Sequence, residues 1–528
     1  MTEVDINDLA LIGVVRDTPG YMLPPEAFTS ALNMCIRNGG LERLLGWAQI
    51  FGTPPVAPHF AMPVRTPAAT FWLYTSLNKG YVFDGTTHTN ITRQTTGVDV
   101  DYTASGTEQW QGTLLGGVPI VNNGIDIPQF WATISAATKL ANLTNWPATL
   151  RAKIVRQFGP FLVANGIAKT GVQLPHTVKW SHPADPGSIP VSWDETDPTK
   201  DAGETDLPDV NSGLLQEMLP LSDTMYHFKE NSVWKQRFIG GRDIFDFGKG
   251  AWLTTTGILA PRCVAITNDG SRQVWASQDD ILWHDGNQVK SVLDQRQRLR
   301  LLNEIDTSSY VTSFMFDNPT QSEMYFCYPG SGQAQPDRAL LMKYGKDPWV
   351  VTEVDGITFR NATSGQLQSP NDELWSEGTD TWDDDTGPWS EIQRRRIVLC
   401  APASAKFLNL DSGPTRDTVV FTGLLQRLGL AVLGKKRTGE WIVDFNRKKM
   451  VDDVWPKIQG NPISIRLGYQ DLVDGPVTWN AAVLYTPGTD VVAYAGPISG
   501  RCIAIEFSAA ASWRIDGYKM NIFDLGPF

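Results

Sequence analysis

Tyr81 to Thr92 reads YVFDGTTHTNIT: apolar residues, an Asp-Gly pair, then a polar and β-branched return. Asp84-Gly85 is a strong short-range hairpin signal, because both residues tolerate the positive φ of a type I′ turn. A single hairpin says little about a chain of 528 residues. Its echoes say more. IVNNGIDIPQFW around Asn123-Gly124, FLVANGIAKTG around Asn165-Gly166 and ILWHDGNQVKSV around Asp285-Gly286 repeat the pattern of a Gly-containing turn between apolar or β-branched flanks.

From Gly85 to Gly124 is 39 residues, from Gly124 to Gly166 is 42 and from Gly166 to Gly286 is 120. The first two intervals match the period of about 40 residues of a four-stranded propeller blade. The long interval contains SHPADPGSIPVSWDETDPTKDAGETDLPD, Ser181 to Asp209, whose Pro, Asp and Gly content reads as a long loop. TMYHFKENSVWKQRFIGG then reads as two strands around Glu230-Asn231-Ser232. VTSFMFDNPTQSEMYFCYPG and DRALLMKYGKDPWVVTEV supply a further unit that turns at Tyr344-Gly345. The pattern predicts an all-β chain with a propeller of about six blades spanning residues 61–364. In ILWHDGNQV, His284 stands where Phe83 stands, one residue out of aromatic register, a shift that a bulge would have to absorb.

Residues 1–60 read as a lead-in. In it, LPPEAFTSALNMCIRNGGLERLLGW is either a short helix between Pro24-Pro25 and Gly39-Gly40 or an irregular strand-bearing stretch. Residues 365–396 lose periodicity and read as an irregular acidic surface loop or boundary. In 397–528, RRIVLCA (which begins at Arg395), EWIVDFN, ISIRLG, RCIAIEF and WRIDGYKMNIF suggest a β-rich region, either a sandwich-like platform or the closing part of the propeller.

Composition narrows the function classes. The formal net charge is −12, which opposes a DNA-binding surface spread over the whole chain but leaves room for a local basic patch. An acidic surface also suits a passage through which nucleic acid must slide. Cys35, Cys263, Cys327, Cys400 and Cys502 form no C-x-x-C pair and read as reduced core residues. No apolar run approaches the ~18 residues of a membrane span, and the acidic start MTEVDINDLALIGVV lacks a basic n-region, so the expected site of synthesis and folding is a cytoplasm.

Candidate chemistry is sparse. Asp380, Asp383, Asp384 and Asp385 offer oxygen ligands for Ca²⁺, but Trp382 breaks the alternation an EF-hand loop requires, so the segment reads as a solvated acidic loop. Thr267 to Trp275, TNDGSRQVW, approaches the Asp-box of sialidase propellers but has Asp269 and Gly270 adjacent, and reads as a plain turn. His59, His88, His176, His182, His227 and His284 lack metal-ligand spacing. No nucleophile elbow, phosphate loop or dinucleotide fingerprint occurs. The expected catalytic, metal and cofactor sets are therefore empty. Two basic groups stand against the acidic whole as candidate partner contacts: Arg394-Arg395-Arg396, and Lys435-Lys436-Arg437 with Arg447-Lys448-Lys449, which flank GEWIVDFN. A hairpin there could bring the last two clusters onto one face; solvated strand ends are the other reading.

The lead-in LPPEAFTSALNMCIRNGGLERLLGW, the stretch VKWSHPADPGSIPVSWDETDPTKDAGETDLPD, the segment KENSVWKQRFIGG and the close CIAIEFSAAASWRIDGYKMNIF resemble the tail nozzle, or tail tube terminus, proteins of short-tailed bacteriophages. The Trp180 to Gly203 run carries most of that resemblance; the C-terminal third matches mainly in RCIAIEF and WRIDGYK. The resemblance implies a structural virion protein with a central β-propeller, not an enzyme. It implies a homo-oligomer of about six copies around the tail axis, assembled in the host cytoplasm. Its expected partners are the head-to-tail adaptor, tail fibre or spike and tail needle or tip proteins, with genomic dsDNA passing through without specific binding. Long loops such as Ser181 to Asp209 and Gly365 to Pro388 would then be the candidates for a gate that retains the genome until ejection. The alternative class is a carbohydrate-binding or polysaccharide-depolymerising propeller.

Overall fold

The computed structural model describes all residues except 1, 38, 68, 105–109, 242, 294–296, 346–348, 368–394, 473–474 and 528. Strands dominate, and the described residues hold one α-helix, Arg298–Glu304. The Tyr81 to Thr92 stretch is a hairpin: Gly80–Phe83 pairs antiparallel with His88–Asn90. The turn holds itself together, because the Asp84 carboxylate accepts the backbone N–H groups of Thr86 and Thr87 at 2.9 and 2.7 Å. Those bonds favour the charged form and hold its pKa down to about 2 despite some burial.

That hairpin completes the first of seven four-stranded antiparallel units, six of them separate sheets and one, the sixth, the end of a ten-stranded sheet; the first is Phe60–Arg65, Thr70–Thr75, Gly80–Phe83 and His88–Asn90. The second is Gln111–Leu115, Val118–Asn122, Gln129–Phe130 and Ala141–Asn142. The third is Leu150–Phe158, Phe161–Lys169, Val172–Trp180 and Gly203–Asp206. The fourth is Leu215–Leu221, Thr224–Lys229, Val233–Phe238 and Phe245–Asp246. The fifth is Val264–Ile266, Gln273–Ala276, Ile281–His284 and Val289–Ser291. The sixth is Phe314–Asn318, Glu323–Tyr328, Arg338–Lys343 and Val350–Asp355. The seventh is Asn361–Gln366, Arg395–Ala401 and Lys406–Leu410, completed by Trp47–Ile50 from the N-terminal part of the chain.

From the second sheet to the seventh, the first strand of each packs on the first strand of the next, and that of the seventh packs on that of the first. Apolar side chains fill each seam. Met62, Val64, Val121 and Trp131 join sheets one and two, and Leu115, Val155, Leu162 and Trp193 join two and three. Ile154, Trp180, Met218 and Trp234 join three and four, while a larger cluster spans four, five and six. Trp47, Phe316 and Leu399 join six and seven; Trp72, Tyr74, Val398 and Phe407 join seven and one. The cycle is closed by the pairing of Trp47–Ile50 with Phe407–Leu410, where Trp47 is 1% exposed.

The remainder of the chain is a two-sheet element built from both ends. One sheet continues the sixth through Ser30–Leu32, Gly423–Leu430, Cys502–Ala509 and Ile463–Gln470 to the short strands Thr478–Trp479 and Val483–Tyr485. The other holds Met34–Arg37, Gly40–Arg43, Trp513–Pro527, Arg447–Gly460 and Ile498–Gly500, with Thr2–Asn7 paired to Trp513–Pro527. Val4, Ile6, Phe28, Leu425, Ile465, Phe507, Ile515 and Met520 lie in the core between them. Buried ion pairs bind this element to the seven sheets: Arg37 makes paired bonds to Glu323 at 3.1 and 3.0 Å and reaches Asp411 at 2.9 Å.

Several expectations change. The stretch from Pro24 to Trp47 contains no helix; its strand-bearing reading holds, because Met34–Arg37 and Gly40–Arg43 form a hairpin around Gly39. Asn165-Gly166 is not a turn. The strand Phe161–Lys169 runs through it, and Gly166, at φ +58, forms a bulge that shifts the register between Asn165 and Ile167. The described part of the lead-in at 1–60 belongs to the two-sheet element and the seventh sheet, and the described residues on the two sides of the expected boundary at 365–396 pair in one sheet, Gln366 with Arg395. His284 needs no bulge: it is a buried ring packed by Tyr226, Trp252 and Trp275, with Nε2 2.9 Å from Gln273 Oε1. Asp380 to Asp385 lie outside the described residues.

Candidate functional site

The basic residues singled out in the sequence do not converge. Arg394 lies outside the described residues; Arg395 and Arg396 are exposed at the start of the second strand of the seventh sheet. Lys435, Lys436 and Arg437 sit at the exposed tip of a hairpin, Val432–Lys435 with Trp441–Val443. Lys435 Nζ stands 4.6 Å from the Trp441 ring centroid and Lys436 pairs with Glu440 at 2.9 Å. Arg447, Lys448 and Lys449 follow the opposite end of that hairpin, so the clusters are separated by its length. Arg447 is paired with Asp524. Lys449 is wholly buried and donates to the carbonyls of Asp444, Arg447 and Arg501 at 2.5, 2.8 and 2.7 Å, a structural placement that no alternation in the sequence announced.

The proposed gating loop is also tied down. Trp193 is 2% exposed, with its ring centroid 4.5 Å from that of Trp146. Glu195 binds Lys169 and Lys179 at 2.8 and 2.5 Å, and these cations hold its pKa near 2 against the opposing effect of burial. Residues 181–202 carry no strand and form a largely exposed loop, anchored on the third sheet by the buried Trp193 and by the Glu195 ion pairs. Gly365 to Pro388 falls largely outside the described residues.

A belt of polar groups where the first strands meet escaped the sequence reading. Arg156 of the third sheet donates to Gly112 O of the second at 3.1 Å and to the Glu217 carboxylate of the fourth at 3.2 Å. Glu217, 2% exposed, also accepts the backbone N–H of Arg262 at 3.1 Å. Arg262, just before the fifth sheet, donates from its side chain to Arg360 O at 3.1 Å, and its own carbonyl accepts Met315 N–H of the sixth at 2.9 Å. Arg360 leads into the seventh sheet and lies close enough to His59, which leads into the first, to lower its pKa, together with burial, to about 4. Burial lowers the Arg262 pKa to about 10. Gly112 belongs to the geometry: a Cβ there would lie 2.6 Å from Met62 Sδ of the first sheet. The belt's hydrogen bonds run from the second sheet to Arg360 at the start of the seventh and place Arg156 and Arg262 around one carboxylate. Its arginines stand about a hundred residues apart in sequence, so no local motif could mark them.

A second feature is a groove of about 490 Å³ in the two-sheet element, lined by Val15, Asp17, Tyr21, Phe445, Leu472 and Cys502 among others. The Tyr21 and Phe445 rings form one wall, 5.3 Å apart. No group of three or more His, Cys, Asp or Glu suited to a metal ion occurs among the described residues. No described helix is long and apolar enough to cross a membrane.

No family model and no curated protein matches the chain. Among solved structures it is similar to a putative 6-phosphogluconolactonase from Bacteroides uniformis, at 9% identity and a TM-score of 0.37 over 69% of this chain and 90% of that one. It is also similar to PorZ of the type-IX secretion system of Porphyromonas gingivalis, at 10% identity and a TM-score of 0.36 over 73% of this chain and 43% of that one.

Proposed function

We propose that the seven sheets are the blades of a β-propeller and that the chain is a structural component of a short-tailed phage virion, the tail nozzle that prolongs the DNA channel. The observation that carries this reading is the division of labour in the chain. Both ends build one β-sandwich, and the cycle of sheets is inserted into it between Ile50 and Leu410. The sandwich carries the four most exposed large apolar side chains among the described residues: Val491 at 76%, Tyr494 at 70%, and Leu472 and Leu484 at 68%. Exposed apolar side chains also stand singly on the cycle of sheets, Val98 and Leu299 at 66%, so it is the sequence cluster of Leu484, Val491 and Tyr494 that supports a partner surface. A platform that packs against its neighbours, with a rigid propeller attached, suits a ring-building protein assembled on an adaptor. The net charge of −12 suits a wall along which DNA slides.

A second reading, a propeller that binds or cleaves acidic polysaccharide, draws on the belt of Arg156, Arg262 and Arg360. Two of these side chains already donate to Glu217 or to backbone carbonyls. The Nε atoms of Arg156 and Arg262 are enclosed. The discriminating experiment is incubation of the purified chain with a portal–adaptor complex and, separately, with acidic capsular glycans. Capture by the complex with no loss of glycan viscosity supports the nozzle; glycan cleavage without capture overturns it.

A further inference from the structure

Where the fourth and fifth sheets meet, the turns at one end of each enclose a polar pocket of about 140 Å³. The fourth sheet contributes the turn between Thr224–Lys229 and Val233–Phe238, and the fifth the turn between Gln273–Ala276 and Ile281–His284. The chain crosses between them at Thr255 to Gly257, backbone against backbone: a Cβ on Gly257 would lie 2.2 Å from Lys229 O. Ile258 N–H donates to Lys229 O at 3.0 Å and Trp275 Nε1–H to Gly257 O at 3.1 Å, so this wall is fixed on both sides.

The lining divides into groups that hold the pocket's shape and groups left over for a ligand. Ser277 Oγ accepts the N–H groups of Asp279 and Asp280 at 3.2 and 3.0 Å, which closes the fifth-sheet turn. The Asp280 carboxylate accepts Ile281 N–H at 2.8 Å, and Glu230 accepts Gln216 Nε2–H at 2.8 Å. Arg298 Nε donates to Asp279 O at 2.6 Å, and its two terminal nitrogens have no hydrogen-bond partner among the described residues. The side chains of Asn231, Thr255, Thr256 and Asp279 have none either. The spare groups are thus two hydroxyls, a carboxamide, a carboxylate and a guanidinium, a mixture of donors and acceptors.

That mixture selects a ligand class. Leu282 is the single apolar side chain in the lining, so an apolar ligand would displace water without replacing its hydrogen bonds. The carboxylates of Glu230, Asp279 and Asp280 oppose an anion, Arg298 opposes an organic cation, and no group of side chains here suits a metal ion. A neutral ligand with several hydroxyls fits, because each hydroxyl both donates and accepts and replaces a bound water bond for bond. The pocket is well below the roughly 300–1,000 Å³ of drug-sized sites, which suits one ring and not a chain. Thr255, Gln278 and Asp279 are exposed at its rim, which leaves an exit for a linkage.

We infer that this pocket binds one neutral hexose residue at the end of a glycan chain, with Asp279 and Arg298 on neighbouring hydroxyls and Asn231, Thr255 and Thr256 on the rest of the ring. It shares no residue with the arginine belt, and hexose binding does not depend on assembly with a portal–adaptor complex.

The test is saturation-transfer difference NMR and isothermal titration of the full chain with both anomers of the methyl glycosides of glucose, galactose and mannose, which mimic a chain end, and with sorbitol and methyl glucuronide. At least one neutral glycoside should bind with a dissociation constant on the order of 1 mM. Asn231→Ala combined with Asp279→Ala should weaken it roughly tenfold or more with an unchanged melting temperature, whereas Thr199→Ala on the exposed 181–202 loop should leave it unchanged. Absence of binding by every neutral glycoside, binding that survives the double change, or preference for sorbitol or for the glucuronide overturns the assignment. Failure to join a portal–adaptor complex, with glycoside binding intact, overturns the nozzle reading alone.

Discussion

Glu217 is the residue on which the belt of first strands turns. It receives Arg156 from one neighbouring sheet and the backbone of Arg262 from the other, in a nearly water-free position. Glu217→Ala leaves Arg156 enclosed without its carboxylate, so unfolding stability should fall by about 3 kcal/mol, measured by denaturant titration against Glu204→Ala as a more exposed control. Asp317 tests the opposite electrostatic case. Burial, with Asp269 nearby, raises its pKa from 3.8 to about 7 even though Tyr344 O–H donates to it at 2.7 Å. The folded state therefore holds this proton more tightly than the unfolded one. Its stability contribution is complete below about pH 3.8 and is lost as pH rises through about 7. The stability difference between wild type and Asp317→Asn should change across that window by on the order of 2 kcal/mol, discounted for the part of the side chain left in water. A pH-independent difference would contradict the assignment. His88 shows how a residue's role depends on the seam it meets. The Asp-Gly turn places it on a strand end, yet its ring bridges Tyr74 O–H at 2.9 Å and Phe51 O at 2.7 Å, between the first and seventh sheets.

At the scale of elements, the decisive strand is Trp47–Ile50, which completes the seventh sheet from the far end of the chain. Trp47→Ala removes a side chain packed between Phe359 and the sixth and seventh sheets, and should cost about 3–5 kcal/mol. Hydrogen exchange should then rise first in Phe407–Leu410 and Phe60–Arg65, on either side of the closure. Trp193→Ala should free residues 181–202 and make them sensitive to limited proteolysis, whereas the wild-type loop resists. These two elements also mark the limits of sequence reading. Hairpins at Gly85 and Gly286 were legible because turn chemistry is local. About six units were expected and seven sheets occur, because the seventh is assembled from three strands around residues 368–394 and a fourth donated by the lead-in. Ser181 to Asp209 reads as a long loop, which holds for residues 181–202, but its polar and Pro-rich composition hides the buried Trp193 that anchors it and the strand Gly203–Asp206 that ends it. The belt was invisible because its coupling is between residues remote in sequence, and Lys449 was misplaced because burial of a lysine leaves no pattern in the letters.

At the scale of the molecule, a closed cycle of sheets and a platform with exposed apolar groups are joined by the Arg37–Glu323–Asp411 and Arg416–Asp355 ion pairs. Single-particle electron microscopy of the purified chain, alone and after addition of its portal–adaptor complex, tests the central claim most directly. The account predicts a closed ring of about six copies, platforms in mutual contact around an axial channel and propellers attached to them. Folded single copies in both preparations would contradict it.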